Sequence, residues 1–420
     1  MKSTNANKYY LINKILITVS FIVRLIYIII TDVGVRQHDL GYATSIHDNL
    51  VNPGHLGYVD YIAKFHHLPD FDPFTLFSYF HPPFHHIIAA LFVDAADAIG
   101  ISEPGIYEAI QIPTLIYSCI SVILVYKILH MLCSDEKRII LPLALFAFHP
   151  GLIYITGSVN NDMLALLFII LCIYTTMLWI NNNYKLSKLI LMSFSIGFGL
   201  IAKMNVAIMI IPMGLCMLIH LIDEYKASHI IRIIKEYSIF AFIAIPIGIS
   251  WTVRNIIRFG TKPGIPSSSP NQYTGDISII NRFLIPVKSN LGFPFYSENA
   301  TYNSNIWEIC FKTSLFSEIW PVDISDFGLI LCQILFVSAI LLGVCCAIYS
   351  IIKPIRIIKS GDRMMGIFLL SGFITVIVSF IVFNLKYPYV CSSDFRYVSI
   401  SILFSSIALL PVNNKADINI

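Results

Sequence analysis

Charge is what this sequence is short of. Of its 420 residues, 13% are Asp, Glu, Lys or Arg, about half the roughly 25% of a soluble domain. A water-solvated globular chain is therefore excluded. Neither sign dominates. There are 28 basic against 25 acidic residues and a net charge of +3, too balanced to imply a nucleic-acid partner. Cysteine is sparse and unpatterned: nine residues, with no CxxC and no zinc-type spacing to histidine. Cys119, Cys172, Cys216, Cys345 and Cys346 lie in apolar runs, where a thiol behaves as a small hydrophobe. Cys310 and Cys391 fall in segments read as external, so a disulfide between them stays open. The chain has no Walker A loop, no GxGxxG opening a helix after a strand and no GxSxG. A nucleotide-driven pump and a serine hydrolase are left unsupported. No inverted repeat of broken helices is evident, which weakens a secondary transporter. Collagen, coiled-coil and disordered patterns are missing as well.

What is present is apolar: 56% hydrophobic residues and a mean hydropathy of +0.75. A membrane helix needs about 20 mainly apolar residues. Runs of this kind lie at approximately 14–31, 82–99, 106–129, 139–157, 163–180, 188–202, 206–222, 238–253, 327–350, 366–385 and 397–412. The expected architecture is an all-α, polytopic membrane helical bundle with 10–11 transmembrane helices. The run after Lys2, Lys8 and Lys14 imitates a signal peptide, but Thr31, Asp32 and Val33 do not make a cleavage site. It reads as an uncleaved first span.

Lys and Arg in short loops mark the cytoplasmic side. The N-terminus, Lys137–Arg138, Lys185–Lys188, Lys226 to Lys235 and Lys353 to Arg363 go there. Two long polar stretches, 32–81 and 254–326, then fall outside. Both are rich in aromatics, Pro and Gly, and both are expected to carry amphipathic helices. Eleven full crossings cannot satisfy all these placements, so one run is interfacial or re-entrant; 82–99, with Asp94 and Asp97, is among the weakest. The expected organisation is a cytoplasmic N-terminus (1–13), a catalytic transmembrane module (14–257) containing the first external loop, a second external loop (258–326) and C-terminal helices (327–420).

Polar residues in membrane helices are expensive and mark sites, and here they gather towards the outer side. Arg36-Gln37-His38-Asp39-Leu40-Gly41-Tyr42 follows the first run. A carboxylate at that depth could act as a general base on an acceptor hydroxyl; the plainer alternative is a solvated loop acid. His55 and Tyr58 lead to His81-Pro82-Pro83-Phe84-His85-His86, where the proline pair fits a helix start. Histidines so placed could hold phosphate or metal, or simply cap an interface. His149-Pro150-Gly151 and Asn160-Asn161-Asp162 break two apolar runs, as any polar hairpin would. Lys203, Arg254, Arg258 and Arg396 could neutralise a phosphate, although each alone is more often a snorkelling residue. Arg24 sits in the middle of the first span, where a charge faces the bundle or a cavity.

Taken in order, these elements resemble the GT-C superfamily of integral-membrane glycosyltransferases: a mid-span Arg, Arg-Gln-His-Asp, an aromatic loop, His-Pro-Pro-Phe-His-His, an Asn-Asp hairpin, Gly-Leu-Ile-Ala-Lys and a late Asp-Phe-Arg-Tyr. The nearest types are the protein O-mannosyltransferase and lipid A aminoarabinose transferase group, and the size also suits serotype-converting O-antigen glucosyltransferases. The resemblance implies a polyprenyl-phosphate sugar donor, undecaprenyl phosphate in bacteria, and an external glycan, lipopolysaccharide, lipid or protein acceptor. It implies an active site on the outer face of a bacterial inner membrane. Asp39 matches the acidic catalytic position. Relatives often carry a second carboxylate beside it, where this chain has His38. Arg36, His38, Tyr42, His81, Asp162, Lys203, Arg254, Arg258 and Arg396 are the expected substrate-binding residues. No cofactor is required, although a divalent metal could assist. Tyr42, Tyr58, Tyr61, Phe77, Tyr79 and Phe80 could line the cavity and stack on sugar, or serve as interfacial anchors. Two other readings stay open: a flippase or transporter of lipid-linked saccharide, and an O-antigen polymerase or ligase using a diphosphate-linked glycan.

Overall fold

A bilayer offers the backbone no hydrogen-bonding partner, so apolar runs satisfy their own N–H and C=O groups as helices. The computed structural model bears this out. It describes residues 2–34, 41–226, 229–262, 278–284, 292–296, 305–318 and 323–411, with side chains from residue 7 onward. Arg36, His38 and Asp39 lie outside these residues, as does the sequence 299–301.

Among the described residues the α-helices are α1 (Lys2–Ile30), α2 (Gly54–Phe65), α3 (Phe84–Ala98), α4 (Gln111–Leu132), α5 (Glu136–Ala147), α6 (Pro150–Tyr154), α7 (Asp162–Asn181), α8 (Leu186–Ala202), α9 (Ile210–Lys226), α10 (Ile230–Phe259), α11 (Ile279–Phe283), α12 (Ile306–Phe316), α13 (Asp326–Lys359), α14 (Arg363–Lys386) and α15 (Ser401–Leu409). Among the described residues six helical stretches are long and apolar enough to cross a membrane, or seven if 136–147 and 150–157 form one bent span. This is fewer than the apolar runs suggest, for a local reason. The run 82–99 yields only the 15-residue α3, 188–202 the 17-residue α8, and 397–412 the nine-residue α15.

The chain packs as two units, each discontinuous in sequence. One comprises 21–124 and 155–267. At its centre α7 is enclosed, its most apolar window 78% buried. α8 and α10 approach closely because glycine lines the crossing. A Cβ on Gly248 would lie 2.6 Å from Leu200 Cδ1, and one on Gly197 would lie 3.3 Å from the Ala244 carbonyl. Arg24 is fully buried in this unit. Its Nε donates to Ser118 Oγ at 2.7 Å, and Thr156 donates to the same oxygen at 2.9 Å. The mid-span charge thus turns inward, as expected.

Residues 41–81, the described part of the first long polar stretch, belong to this unit. Of the 12 residues of α2, ten are buried, so it is an inner helix and presents no broad polar face. Tyr79 pins it, donating its buried hydroxyl between the carbonyls of Asn52 and Gly57, each at 2.8 Å. Gly57 is required there: a Cβ would stand 2.1 Å from the Asn52 oxygen.

The other unit comprises 1–20, 125–154 and 268–420. Glu136 organises one end of it. Its carboxylate accepts from Asn13 Nδ2 at 2.7 Å and from the Tyr126 hydroxyl at 2.9 Å. Elsewhere Lys312 and Glu308 form a buried i,i+4 pair at 2.8 Å, and Asn384 accepts from Ser393 Oγ at 2.7 Å and from Arg282 at 3.3 Å. Cys310 and Cys391 are both free thiols.

Candidate active site

The polar residues of the 21–124/155–267 unit meet where several helices begin or break. Pro83 occupies the N-cap position of α3, so the proline pair does start the helix. It sets His85 and His86 in the first turn, both fully buried. Asn161 is the N-cap residue of α7 and Asp162 its first residue, where a carboxylate complements the helix dipole. Lys203 is extended, with φ −160° and ψ 135°, between α8 and a short 3-10 segment at Met204–Met209.

These pieces converge. Lys203 Nζ lies 2.5 Å from Asp162 Oδ1. Asn161 Nδ2 donates to the Ala202 carbonyl at 2.8 Å, and the Asp162 amide donates to Asn160 Oδ1 at 3.0 Å. Asn160, Asn161 and Asp162 are all buried. The segment is therefore an internal polar knot and not a solvated hairpin. His85 Nε2 sits 2.8 Å from the Val159 carbonyl of the same segment.

Beside the knot lies a stack of imidazoles. His55 Nδ1 and His86 Nε2 are 2.9 Å apart, and the His55 ring stacks on both His81 and His86 with centroids at 5.1 and 5.2 Å. Tyr58 stacks on His86 at 4.3 Å and on Tyr79 at 4.5 Å. Burial, then the neighbouring His81 and His86, push the His55 imidazole well below its ordinary value. It is neutral at pH 7, able to relay a hydrogen bond but adding no charge. Burial likewise drives the Tyr58 phenol well above its ordinary value. Among the described residues the Tyr58 hydroxyl has no hydrogen-bond partner. A buried polar atom left this way carries a cost of about 1–3 kcal/mol that a bound polar group would remove.

Arg254 closes this side. It donates to the Pro69 carbonyl and to Asn255 Oδ1, and its guanidinium lies 4.9 Å from the Trp251 ring centroid. Trp251 in turn donates to the Phe80 carbonyl at 3.2 Å. The C-terminal end of α10 is thereby tied to the 66–83 segment at two carbonyls. Arg258, one turn on, is exposed.

The expected site residues thus divide. His81, Asp162, Lys203 and Arg254 lie within one unit. Tyr42 belongs to the same unit but is exposed. Tyr58 and Tyr79 are fully buried core residues, whereas Phe77 is exposed. Arg396 belongs to the other unit, where its amide donates to Asp394 Oδ1 at 2.7 Å and its guanidinium lies 5.1 Å from the Tyr397 ring. Among the described residues no three His, Cys, Asp or Glu side chains converge as a metal-holding group; His55 and His86 meet nitrogen to nitrogen at 2.9 Å. The sequence singles out His55 and Tyr58 as candidates but not their meeting with His86; the one local signal is their i and i+3 spacing, which puts both on one face of α2.

Comparisons with known proteins take in much of this unit and part of the other. Residues 81–251, from His81 to Trp251, match the family of dolichyl-phosphate-mannose-protein mannosyltransferases. No curated protein matches the chain. Among the solved structures that match is the archaeal oligosaccharyltransferase AglB from Archaeoglobus fulgidus, in complex with an inhibitory peptide and a dolichol-phosphate. It shares 11% identity at a TM-score of 0.48, over 96% of this chain and 50% of that one. The present chain thus spans about half the length of that protein.

Proposed function

We propose that this chain is a membrane glycosyltransferase of GT-C type that moves a sugar from a polyprenyl-phosphate carrier to a hydroxyl of an acceptor at the outer membrane face, a reading supported by the match over residues 81–251. The observation that carries this reading is the buried Asp162–Lys203 pair, inside the matched segment together with His81 and His86, with His55 from the preceding stretch set against those histidines. The family description names a dolichyl-phosphate sugar, a lipid whose phosphate is the leaving group.

The chemistry needs two things. The acceptor hydroxyl must lose a proton as it attacks C1 of the sugar, and the departing phosphate oxygen must be stabilised as its charge grows. Asp39 is the proposed base. His81 and Arg254 are proposed to face the phosphate, Arg254 held in place by Pro69 and by Trp251. Lys203 is neutralised by Asp162, so the pair contributes a dipole and a fixed position more than a net positive charge. Tyr58 offers its hydroxyl as a further donor. A monophosphate leaving group carries less charge than a diphosphate, in keeping with this modest set of cations. Arg36, His38, Tyr42, Arg258 and Arg396 are proposed to contact donor or acceptor. O-antigen or another cell-surface glycan is the proposed acceptor class, and a bacterial inner membrane the proposed location.

The test is transfer by purified protein supplied with a polyprenyl-phosphate hexose and an acceptor glycan. Asp39→Asn should fold and bind donor yet form no glycosidic bond; retained transfer in that variant removes Asp39 from the role. Movement of the lipid-linked sugar with no new bond would point to a flippase. Activity with diphosphate-linked glycan alone would point to a polymerase or ligase.

A further inference from the structure

The unit formed by 1–20, 125–154 and 268–420 holds a cleft of about 330 Å³ between α13 and the C-terminal end of α15. It plays no part in the reaction above. Its wall is apolar along Leu342, Cys346, Tyr349 and Leu409, and it ends at two cations, Lys353 and Arg356. α13 is the least enclosed of the spanning helices, with 11% of its most apolar window buried, and Leu342 and Tyr349 are both exposed. The cleft therefore opens on the surface that faces lipid.

Lys353 is the anomaly. It is buried, and its Nζ donates to the carbonyls of Ile407 and Leu410, each at 2.6 Å. Both carbonyls lie at the end of α15, where the Ile407 oxygen also accepts from the Leu410 amide, and a lysine there is a helix cap. Among the described residues no carboxylate pairs with it. Carbonyl dipoles satisfy two of its three donors but leave the charge itself uncompensated, which is costly away from water. Arg356, three residues on, presents its guanidinium on the same face of α13.

We propose that this cleft binds an anionic phospholipid of the surrounding bilayer. The phosphate sits against Arg356 and the third Lys353 donor, and an acyl chain lies along the apolar wall. The distance along α13 from Leu342 to Arg356 is about 21 Å at 1.5 Å per residue, enough for one acyl chain and far more than free phosphate needs. The cluster Lys353, Arg356, Lys359 and Arg363 lies on the side read from the sequence as cytoplasmic, where anionic headgroups attract basic residues.

The test uses the full chain in detergent. Binding is measured by native mass spectrometry, and melting temperature is followed in parallel, during titration with phosphatidylglycerol, phosphatidylcholine of the same acyl chains, or inorganic phosphate. Phosphatidylglycerol should bind and raise the melting temperature, and the other two should do neither. Arg356→Gln, at an exposed position, should weaken phosphatidylglycerol binding at least tenfold, and Leu342→Trp at the cleft mouth should weaken it too. Equal binding of both lipids, stabilisation by phosphate alone, or unchanged affinity in Arg356→Gln would overturn the proposal. Sugar transfer is not the readout, so failure here leaves the proposed reaction untouched.

Discussion

Lys203 Nζ lies 2.5 Å from Asp162 Oδ1, joining an unwound residue after α8 to the first turn of α7 across 41 residues of sequence. The two side chains are 11% and 3% exposed, so the charges are largely withdrawn from water. In that setting the attraction only offsets the cost of desolvation, whereas removing one partner strands the other.

A double-mutant cycle should show this. Asp162→Asn and Lys203→Met should each cost about 3–5 kcal/mol of stability, the scale for breaking a buried pair. The double variant should be markedly more stable than the sum of the two losses predicts. Thermal unfolding in detergent checks it; additive losses would mean the pair is not coupled. Activity should stay low in the double variant if the pair also positions the site.

A second prediction concerns pH. Lys64 bridges Asp48 at 2.9 Å and Asp60 at 3.0 Å, and Asp60 also accepts from the Tyr107 hydroxyl at 2.6 Å. The hydrogen bond from Lys64 holds the Asp48 carboxyl below its ordinary value. Its contribution is therefore present above the unfolded value of about 3.9 and is lost as pH falls through the folded one. Asp60 runs the other way, because burial raises its carboxyl despite the bonds from Tyr107 and Lys64; its share is present at low pH and is lost as pH rises. For Lys64, burial works against the charge, but Asp48 and Asp60 more than offset it and hold its value up. Its share fades only above about pH 10. Lys64→Met should thus melt well below wild type at pH 7, and the gap should narrow as pH drops towards 3. A gap that does not change with pH would exclude the electrostatic origin.

A third prediction is steric. Gly151 of α6 faces the Phe395 ring, and an added Cβ would meet Phe395 Cε1 at 2.6 Å and the Ser314 carbonyl at 2.8 Å. The backbone oxygen cannot swing aside. Gly151→Ala should destabilise by about 1–3 kcal/mol, as overpacking does, while Gly214→Ala, with nothing within 4 Å of the new methyl, should not. Comparing the two melting temperatures is the measurement.

A fourth prediction separates binding from chemistry at Arg254. Its fork donates to Pro69 and Asn255 while lying near the Trp251 ring, and lysine cannot reproduce that geometry. Arg254→Lys should raise KM for the lipid-linked donor about tenfold or more, the scale of a charge-assisted hydrogen bond, with a smaller change in kcat. A kcat loss at unchanged KM would reassign the residue.

Composition and run length alone determined that this is a membrane-embedded, all-helical chain, because scarcity of charge and the backbone's need for internal hydrogen bonds act locally. The Pro82-Pro83 helix start and the inward-turned Arg24 were legible for the same reason. The span count was less so. A run of apolar residues states that a segment avoids water, but not whether a break such as Lys203 or Pro150 ends the helix. Only the tertiary structure decided that α2 lies inside, that His55 reaches His86 across 31 residues, that Lys203 spends its charge on Asp162, and that Lys353 caps α15. Each of those pairings is set by how helices pack against one another, and no spacing along a single helix encodes it.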